Sequence, residues 1–532
     1  MQVQHIPYQQ TGYFSKLMCD YLNEDPQLQL FYGNFPNLEG FEKQLANRSA
    51  SKIDTSDKRE VLASVLVSQC NELKLSDLTI SNIQLLKFEN TFTITTGHQL
   101  NIFSGPLYFL YKIISTINLT KQLKEEFPEN NYVPVYWMAT EDHDFEEVNY
   151  FNFKGKKLVW NRADGGPVGR FDTKGMDTFF EAFTAQLGTS KNAEYLKQLF
   201  QKSYVKHSTL TEATRYLVNE LFGEYGLVII DGDDVKLKKQ FVPYIKTELF
   251  EQKAFEKVSE TNELLEKTYK IQVNPREINL FYIQDGLRER ILFENDIFKV
   301  NNTSITFSKN EIENELVQHP ERFSPNVLMR PLFQEVILPN LCYIGGGGEM
   351  AYWLQLKSFF DEVKVPFPIL LLRNSALLMS EKQEDKLERL GLTIEELFLS
   401  QNDLINKRVK ELSDISIDFT PQREHLQQQF DALKEIALQT DASFLGAVNA
   451  QEKKQLKGLD TLEKRLLKAQ KRKLSDEIER ITLLQNELFP KGNLEERTKN
   501  FSEVYLEMGN GLIPRLFNSL HPLELEFSVI TM

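Results

Sequence analysis

Cysteine is scarce. Cys19, Cys70 and Cys342 are the only three in 532 residues, and no CxxC pair occurs. A disulfide framework and a thiolate zinc site both lose their usual basis, and a reducing compartment is expected. Positive charge is also in short supply: Asp and Glu outnumber Lys and Arg by 76 to 62, a net charge of −14. That argues against a broad basic face for nucleic acid, while a local pocket for a small anion remains open. Long apolar runs are missing too. The stretch Pro366 to Leu372 is among the longest, far below the roughly 20 residues of a membrane helix. The opening MQVQHIPYQQTGYF has neither the basic region nor the apolar run of a signal peptide, so a cytoplasmic protein is expected. What is present is a globular balance, 41% hydrophobic and 26% charged, in a chain long enough for two or three domains.

Residues 1–90 read as helical and polar, with Leu62, Val65 and Leu66 at helical spacing. Thr91 to Thr96 is β-branched and aromatic and predicts a strand, running into a loop from Gly97 to Pro106. Pro106 suits a first helical position, and Leu107 to Leu123 reads as a buried helix. Val133 to Met138 is a second strand, ending in the acidic segment Thr140 to Glu147. Strand, loop, helix, strand at this spacing is a βαβ unit and implies a parallel sheet. The middle, from about 151 to about 322, is less regular. A hairpin over Phe151–Trp160, a turn at Asp164–Pro167 and a buried strand over Tyr225–Ile230 make it an insertion interleaved with further core strands. The doubly wound pattern then returns: Leu341 to Ile344 as strand, Gly345 to Gly348 as turn, Glu349 to Phe360 as helix, Pro366 to Leu372 as strand.

From Ser380 the sequence is helical and charged, with no strand candidate until the tail. Thr420 and Pro421 read as an N-cap and first-turn pair. Leu426, Phe430, Leu433 and Ala437 recur at helical spacing, as do Leu459, Leu462, Leu466 and Ala469. The register slips between Ala469 and Leu474 and resumes through Ile478, Ile481, Leu484 and Leu488. Two antiparallel helices packed as a coiled coil over 377–490 fit this, one of roughly 40 residues and long enough to project. An ordinary amphipathic bundle face is the local alternative. Pro490–Gly492 ends the arm, and the segment 491–532 carries enough apolar residues to dock back on a core spanning 91–376.

Loops that follow parallel strands meet at the carboxyl edge of the sheet, where open α/β folds bind ligands. The first such loop offers Gly97, His98, Gln99, Ser104 and Gly105, suited to a phosphate or carboxylate. Its bland reading is a tight turn. The second, Glu141 to Asp144 with Glu146 and Glu147, concentrates like charge that a cation, a substrate ammonium group or basic side chains must offset. Its bland reading is a solvated helix cap, and its spacing specifies no metal site. The third, Gly345 to Gly348 before Glu349, lacks the Lys and Ser/Thr of a P-loop and the dinucleotide fingerprint, but leaves amides free to wrap an anion. Asn326 and Arg330 upstream, and Arg373 and Asn374 after the last core strand, are expected at the same edge. Gly97, His98, Gln99, Asp142, His143, Arg330, Gly346 and Gly347 are therefore expected to line one pocket. His98, Gln99, Arg330 and the glycine amides would donate to carboxyl oxygens, and His143 or Asp142 would accept a proton, His143 being the better match near neutral pH.

Four blocks taken in order, TGHQLNIFSGPLYFLYK, PVYWMATEDHDFEEVN, SPNVLMRPLFQE and YIGGGGEMAYWLQLK, resemble the bacillithiol biosynthesis cysteine-adding enzyme family, BshC. The resemblance extends to the length, the helical hairpin and the tail. His98 stands where many members carry Gln, and the glycine run has no Pro. The resemblance implies a Rossmann-like core with connecting-peptide insertions, akin to class I aminoacyl-tRNA synthetases, and a coiled-coil arm that makes a homodimer. It also implies an amide-forming ligase that adds L-cysteine to the amine of glucosaminyl malate, with ATP as activating co-substrate through a cysteinyl adenylate or phosphate. A lysine-rich second signature loop and a zinc-holding thiolate cluster, both synthetase features, are not evident. Two rival readings are a Rossmann-type transferase acting on another sugar substrate and a non-catalytic coiled-coil scaffold.

Overall fold

The computed structural model describes residues 3–162 and 165–532; the turn expected at Asp164–Pro167 begins outside the described residues. Five parallel strands form the central sheet in the spatial order Ile369–Leu372, Asn340–Gly345, Thr91–His98, Asn131–Met138, Val228–Asp231. From Thr91–His98 the chain winds outward first in one direction and then in the other. The strand order therefore reverses between Thr91–His98 and Asn340–Gly345, the position where doubly wound sheets open a crevice beyond their carboxyl ends. Both faces are covered, which is why these strands read as continuous apolar or β-branched runs. Phe92 and Ile94 pack with Phe41, Leu119, Ile344 and Ile369, and Val133, Val135, Trp137 and Leu370 join the larger core on the other side.

Several local expectations change. The helix after the first strand runs Tyr108–Glu126 with Leu107 at its cap, so Pro106 lies ahead of the helix. Phe103, Ser104 and Gly105 all have positive φ (51°, 67° and 61°), a tight reversal that delays helix entry. Gly105 is required there, because a Cβ would lie 2.6 Å from Asn101 Cβ. The helix expected over Glu349–Phe360 is two, Gly347–Trp353 and Lys357–Glu362.

The middle region supplies the Val228–Asp231 strand, the hairpin Tyr150–Phe153 with Lys156–Val159, and an element the sequence did not reveal. This is a five-stranded antiparallel sheet built from Leu280–Gln284, Leu287–Glu294, Ile297–Val300, Thr306–Phe307 and Phe323–Pro325. Leu287–Glu294 reads LRERILFE, without the period-two alternation that marks a half-buried strand.

A third sheet corrects the helical reading of the first residues and brings a strand out of the tail. Glu526–Thr531 lies between Val3–Pro7, antiparallel, and Ala376–Met379, parallel. The tail thus docks by backbone pairing as well as by Phe501, Leu512 and Leu516, which are buried in a neighbouring cluster. The Glu495 and Glu496 carboxylates secure it further, accepting the Leu378 and Ala376 N–H groups, each at 3.0 Å.

The arm is a hairpin of Thr420–Ala437 against Ala442–Lys473, closed by Phe430, Ala437 and Val448 with Leu426 and Leu445. The expected 40-residue helix breaks at Leu474 (φ −102°, ψ 26°) before Ser475–Leu488 resumes, where the apolar register slips. Thr420 does not cap its helix. Phe419 holds the cap position, and Asp418 accepts both the Thr420 N–H and hydroxyl at 2.9 and 2.6 Å. Among the described residues no helix is long and apolar enough to cross a membrane.

Candidate functional site

A cavity of about 1220 Å³ opens at the carboxyl edge of the parallel sheet, over the point of strand reversal. Gly97, His98 and Gln99 reach it from the first strand, Glu141, Asp142 and His143 from the second, Gly346 to Glu349 from the fourth and Arg373 from the fifth. Gly105, Asn326 and Arg330 line it as well. In a chain with a net charge of −14, seven cations (Lys112, Arg276, Arg288, Arg290, Arg330, Arg373, Arg497) face four carboxylates (Glu141, Asp142, Glu147, Glu349). Among the described residues no ion pair engages Arg276, Arg290 or Arg497, so they are free to meet anionic oxygens.

The wall under the glycine run is organised by Glu349. Its carboxylate accepts from Lys112 Nζ at 2.7 Å, the Tyr343 hydroxyl at 2.9 Å and the Gly346 N–H at 2.7 Å. Burial raises its pKa, but Lys112 and these donors outweigh burial and hold the group below the ordinary carboxylate value. The Gly346 amide, expected to be free for an anion, is therefore already engaged. None of Gly345 to Gly348 has a positive φ. A Cβ at Gly345 would crowd Tyr343 at 3.0 Å, whereas at Gly346 and Gly348 it would meet nothing closer than 3.5 and 4.0 Å. Neither backbone nor packing demands glycine at those two positions; its effect is to leave room on the cavity wall.

Arg330 forms a second wall. Its Nη1 donates to Gln334 Oε1 at 3.0 Å, and Gln334 Nε2 donates to Glu335 Oε1 at 2.9 Å. Asn340 Nδ2 donates to the same oxygen at 2.7 Å, and Asn340 Oδ1 accepts from Thr95 at 2.8 Å. Arg48, paired with Asp54 at 2.6 Å, stands 3.7 Å from Glu335. Burial pushes Glu335 up to about 7 against the pull of Arg48. One Arg330 nitrogen, Nη2, is buried without a partner.

The acidic loop is offset by basic side chains. Lys238 takes Glu141 at 2.5 Å and Asp233 at 3.1 Å, and Arg170 takes Asp233 at 2.8 Å. Gln99 Nε2 bridges Asp142 and Glu147, 2.8 Å from each. His143 Nδ1 lies 2.6 Å from Arg288 Nη1. Burial first, then the Arg288 charge, lowers the His143 pKa from 6.5. His98 packs against the rings of Tyr108 and Phe109; burial, followed by Lys112 and Arg373, holds it far below the usual histidine value. It lines the cavity as a neutral imidazole. Among the described residues, no group of three or more His, Cys, Asp or Glu is disposed to hold a metal.

Two expected residues stand outside the cavity. Ser104 is buried within the reversal before the helix, its hydroxyl unpartnered. Asn374 accepts from Ser115 at 2.8 Å and donates to the His521 carbonyl at 2.9 Å, so it anchors the tail. Arg373 lines the cavity, but its charge is committed to Glu496 at 2.7 Å. The sequence reading missed Lys112, Tyr343, Arg276, Arg288, Arg290 and Arg497. Lys112 had a signal, being the one charge in the apolar stretch Tyr108 to Ile117. Arg288 and Arg290 lay in a strand that no pattern announced.

The family model of the bacillithiol biosynthesis BshC N-terminal Rossmann-like domain matches residues 1–374, and that of the BshC C-terminal coiled-coil domain matches residues 376–532. A relative from Flavobacterium johnsoniae, named "Putative cysteine ligase BshC", is 59% identical over 527 residues, 99% of each chain. Relatives of the same name from Christiangramia forsetii and Cytophaga hutchinsonii are 55% and 41% identical. They cover 99% and 98% of this chain and 98% and 97% of their own lengths. The parallel-sheet core with its cation-rich cavity and the helical arm are thus the two parts of one known architecture, and the chain belongs to the BshC family of bacillithiol biosynthesis.

Proposed function

We propose that this chain is a ligase that forms the amide bond between the carboxyl of L-cysteine and the amine of glucosaminyl malate. The observation that carries the reading is the concentration of cations in one cavity of an acidic protein, which suits a substrate bearing the two carboxylates of a malyl group. Arg276, Arg290 and Arg330 have N–H groups available for those oxygens or for phosphate. The carboxyl of cysteine needs activation before an amine attacks it. ATP is the co-substrate that would supply a leaving group, and the same arginines fit its phosphates. The amine must first lose a proton, since an ammonium group has no lone pair. Asp142, held by Gln99 and by the His143 backbone N–H at 2.8 Å, is placed to receive it. The amine lone pair then forms the C–N bond as the activating group departs with its bonding electrons. A phosphate oxygen of that leaving group takes the second proton, shed by the new amide nitrogen.

A second copy of the chain is the proposed partner. Ile436, Leu438, Phe444 and Leu462 are exposed on the arm, an apolar surface that a homodimer would cover. A cytoplasmic location accords with the three free cysteines. The test is direct: purified protein is given glucosaminyl malate, L-cysteine and ATP, and bacillithiol is measured by mass spectrometry. No product would overturn the ligase reading. Equal turnover with alanine or serine would overturn cysteine selectivity.

A further inference from the structure

We infer that His143 serves as a neutral hydrogen-bond donor through Nε2–H, fixed in that tautomer by Arg288, and is not the proton acceptor of the reaction. A guanidinium carries N–H donors only and has no acceptor. The 2.6 Å contact between Arg288 Nη1 and His143 Nδ1 therefore requires Nδ1 to present its lone pair, which in a neutral imidazole leaves the proton on Nε2. Protonating Nδ1 would set two positively charged donors against each other.

Arg288 cannot easily turn aside. Its Nε donates to Ser324 Oγ at 3.2 Å, its Nη2 to the Pro325 carbonyl at 3.1 Å, and its plane lies 4.0 Å from the Phe281 ring centroid. Those contacts come from two strands of the antiparallel sheet, so that sheet reaches into the catalytic loop and sets the state of its histidine. Asp142, whose Oδ1 stands 3.8 Å from Nδ1, together with Asp144 and Glu289 favours the imidazolium; burial and Arg288 oppose it and prevail. The unengaged side of the ring belongs to the cavity: His143 lines it, its side chain is 47% exposed, and no described residue hydrogen-bonds Nε2. An N–H offered there meets a carbonyl or carboxylate oxygen of a substrate, and it stabilises the oxygen on which negative charge develops as the amine attacks. The amine proton then falls to Asp142. This catalytic consequence rests on the ligase reading; the tautomer does not.

Two measurements separate these levels. In protein labelled with ¹⁵N-histidine, the His143 signals, identified by their loss in His143→Gln, are expected to show the Nε2–H tautomer from about pH 6 to pH 8. Arg288→Met is expected to release Nδ1 and yield a mixture. In turnover, Gln restores an N–H near the position of Nε2 but provides no group that titrates near neutrality. His143→Gln is therefore expected to stay within about tenfold of the parent, while His143→Ala falls roughly 10²-fold. A parent spectrum showing Nδ1–H overturns the inference. So does a His143→Gln variant as impaired as His143→Ala that has also lost the acidic limb of the kcat/KM profile. Failure of the parent protein to make bacillithiol would sink the ligase reading, and the spectrum would still decide the tautomer.

Discussion

At the cavity, Lys112 is 2% exposed and meets Glu349 at 2.7 Å, whereas on the arm Lys386 is 53% exposed and reaches Glu487 at 3.4 Å. The two pairs have the same chemistry and opposite consequences. Water screens the arm pair, so losing it costs little. In the cavity pair the lysine is shut off from water and the Glu349 side chain is 28% exposed, so removing Lys112 leaves a carboxylate that solvent only partly compensates. Apolar groups are distributed the other way. The core buries most of its large apolar side chains, with Phe88, Leu264 and Val317 among those it leaves exposed, while the much shorter arm leaves Ile436, Leu438, Phe444 and Leu462 in solvent. One region spends its burial on holding charges in place. The other keeps a hydrophobic surface for something outside the chain.

The sharpest way to break this contrast is Lys112→Met, which isolates Glu349 in the cavity wall. It is expected to destabilise the fold by roughly 3 kcal/mol in urea denaturation, against less than about 1 kcal/mol for Lys386→Met. Equal costs would mean that the cavity pair is effectively solvated. Glu335 provides the next test. Its folded pKa of about 7 lies above the ordinary 4.5, so between those values the folded state binds more protons than the unfolded one. Its contribution to stability is full below about 4.5, falls as pH rises, and is gone above about 7. The slope is at most about 1.4 kcal/mol per pH unit, and Glu335→Gln should flatten it in urea titrations between those pH values.

On the arm, Ile436→Asp combined with Leu462→Asp changes exposed positions, so monomer stability should move by no more than about 0.5 kcal/mol per site. Light scattering should nonetheless report a monomer, and a persisting dimer would place the contact elsewhere. The smallest expected effect on folding is that of Gly348→Ala, whose Cβ meets nothing closer than 4.0 Å. A raised KM with an unchanged urea midpoint would locate substrate against the glycine wall; an unchanged KM would leave that wall empty.

The sequence exposed those parts of the molecule whose physics is local. Thr91 to Thr96 is β-branched apart from Phe92 and buried on both faces, so it read as a strand without help from its neighbours. The glycine run and the acidic loop could be placed at one edge because parallel strands put their following loops together. Arg288, by contrast, is tied to His143 across 145 positions and Lys112 to Glu349 across 237, and no window along the chain contains both partners. Val3–Pro7 lacked a signal for the same reason: its partner is Glu526–Thr531. The Gly346 amide shows how a motif can mislead. Its geometry suits an anion, and the anion it holds is the protein's own Glu349.

The three-stranded sheet made by Val3–Pro7, Glu526–Thr531 and Ala376–Met379 has a bearing on how the protein is born. Its middle strand is the last to be synthesised, so neither of the outer two can pair until translation has passed residue 526. A ribosome adding roughly 5–20 residues per second holds Val3–Pro7 unpaired until the residues up to Glu526–Thr531 have emerged. Ala376–Met379 follows directly on Arg373, Asn374 and Ser375 at the edge of the cavity, where Arg373 is held by Glu496. Assembly of that edge is thereby coupled to the synthesis of Glu526–Thr531, and chains halted before that strand would expose two unpaired strand edges.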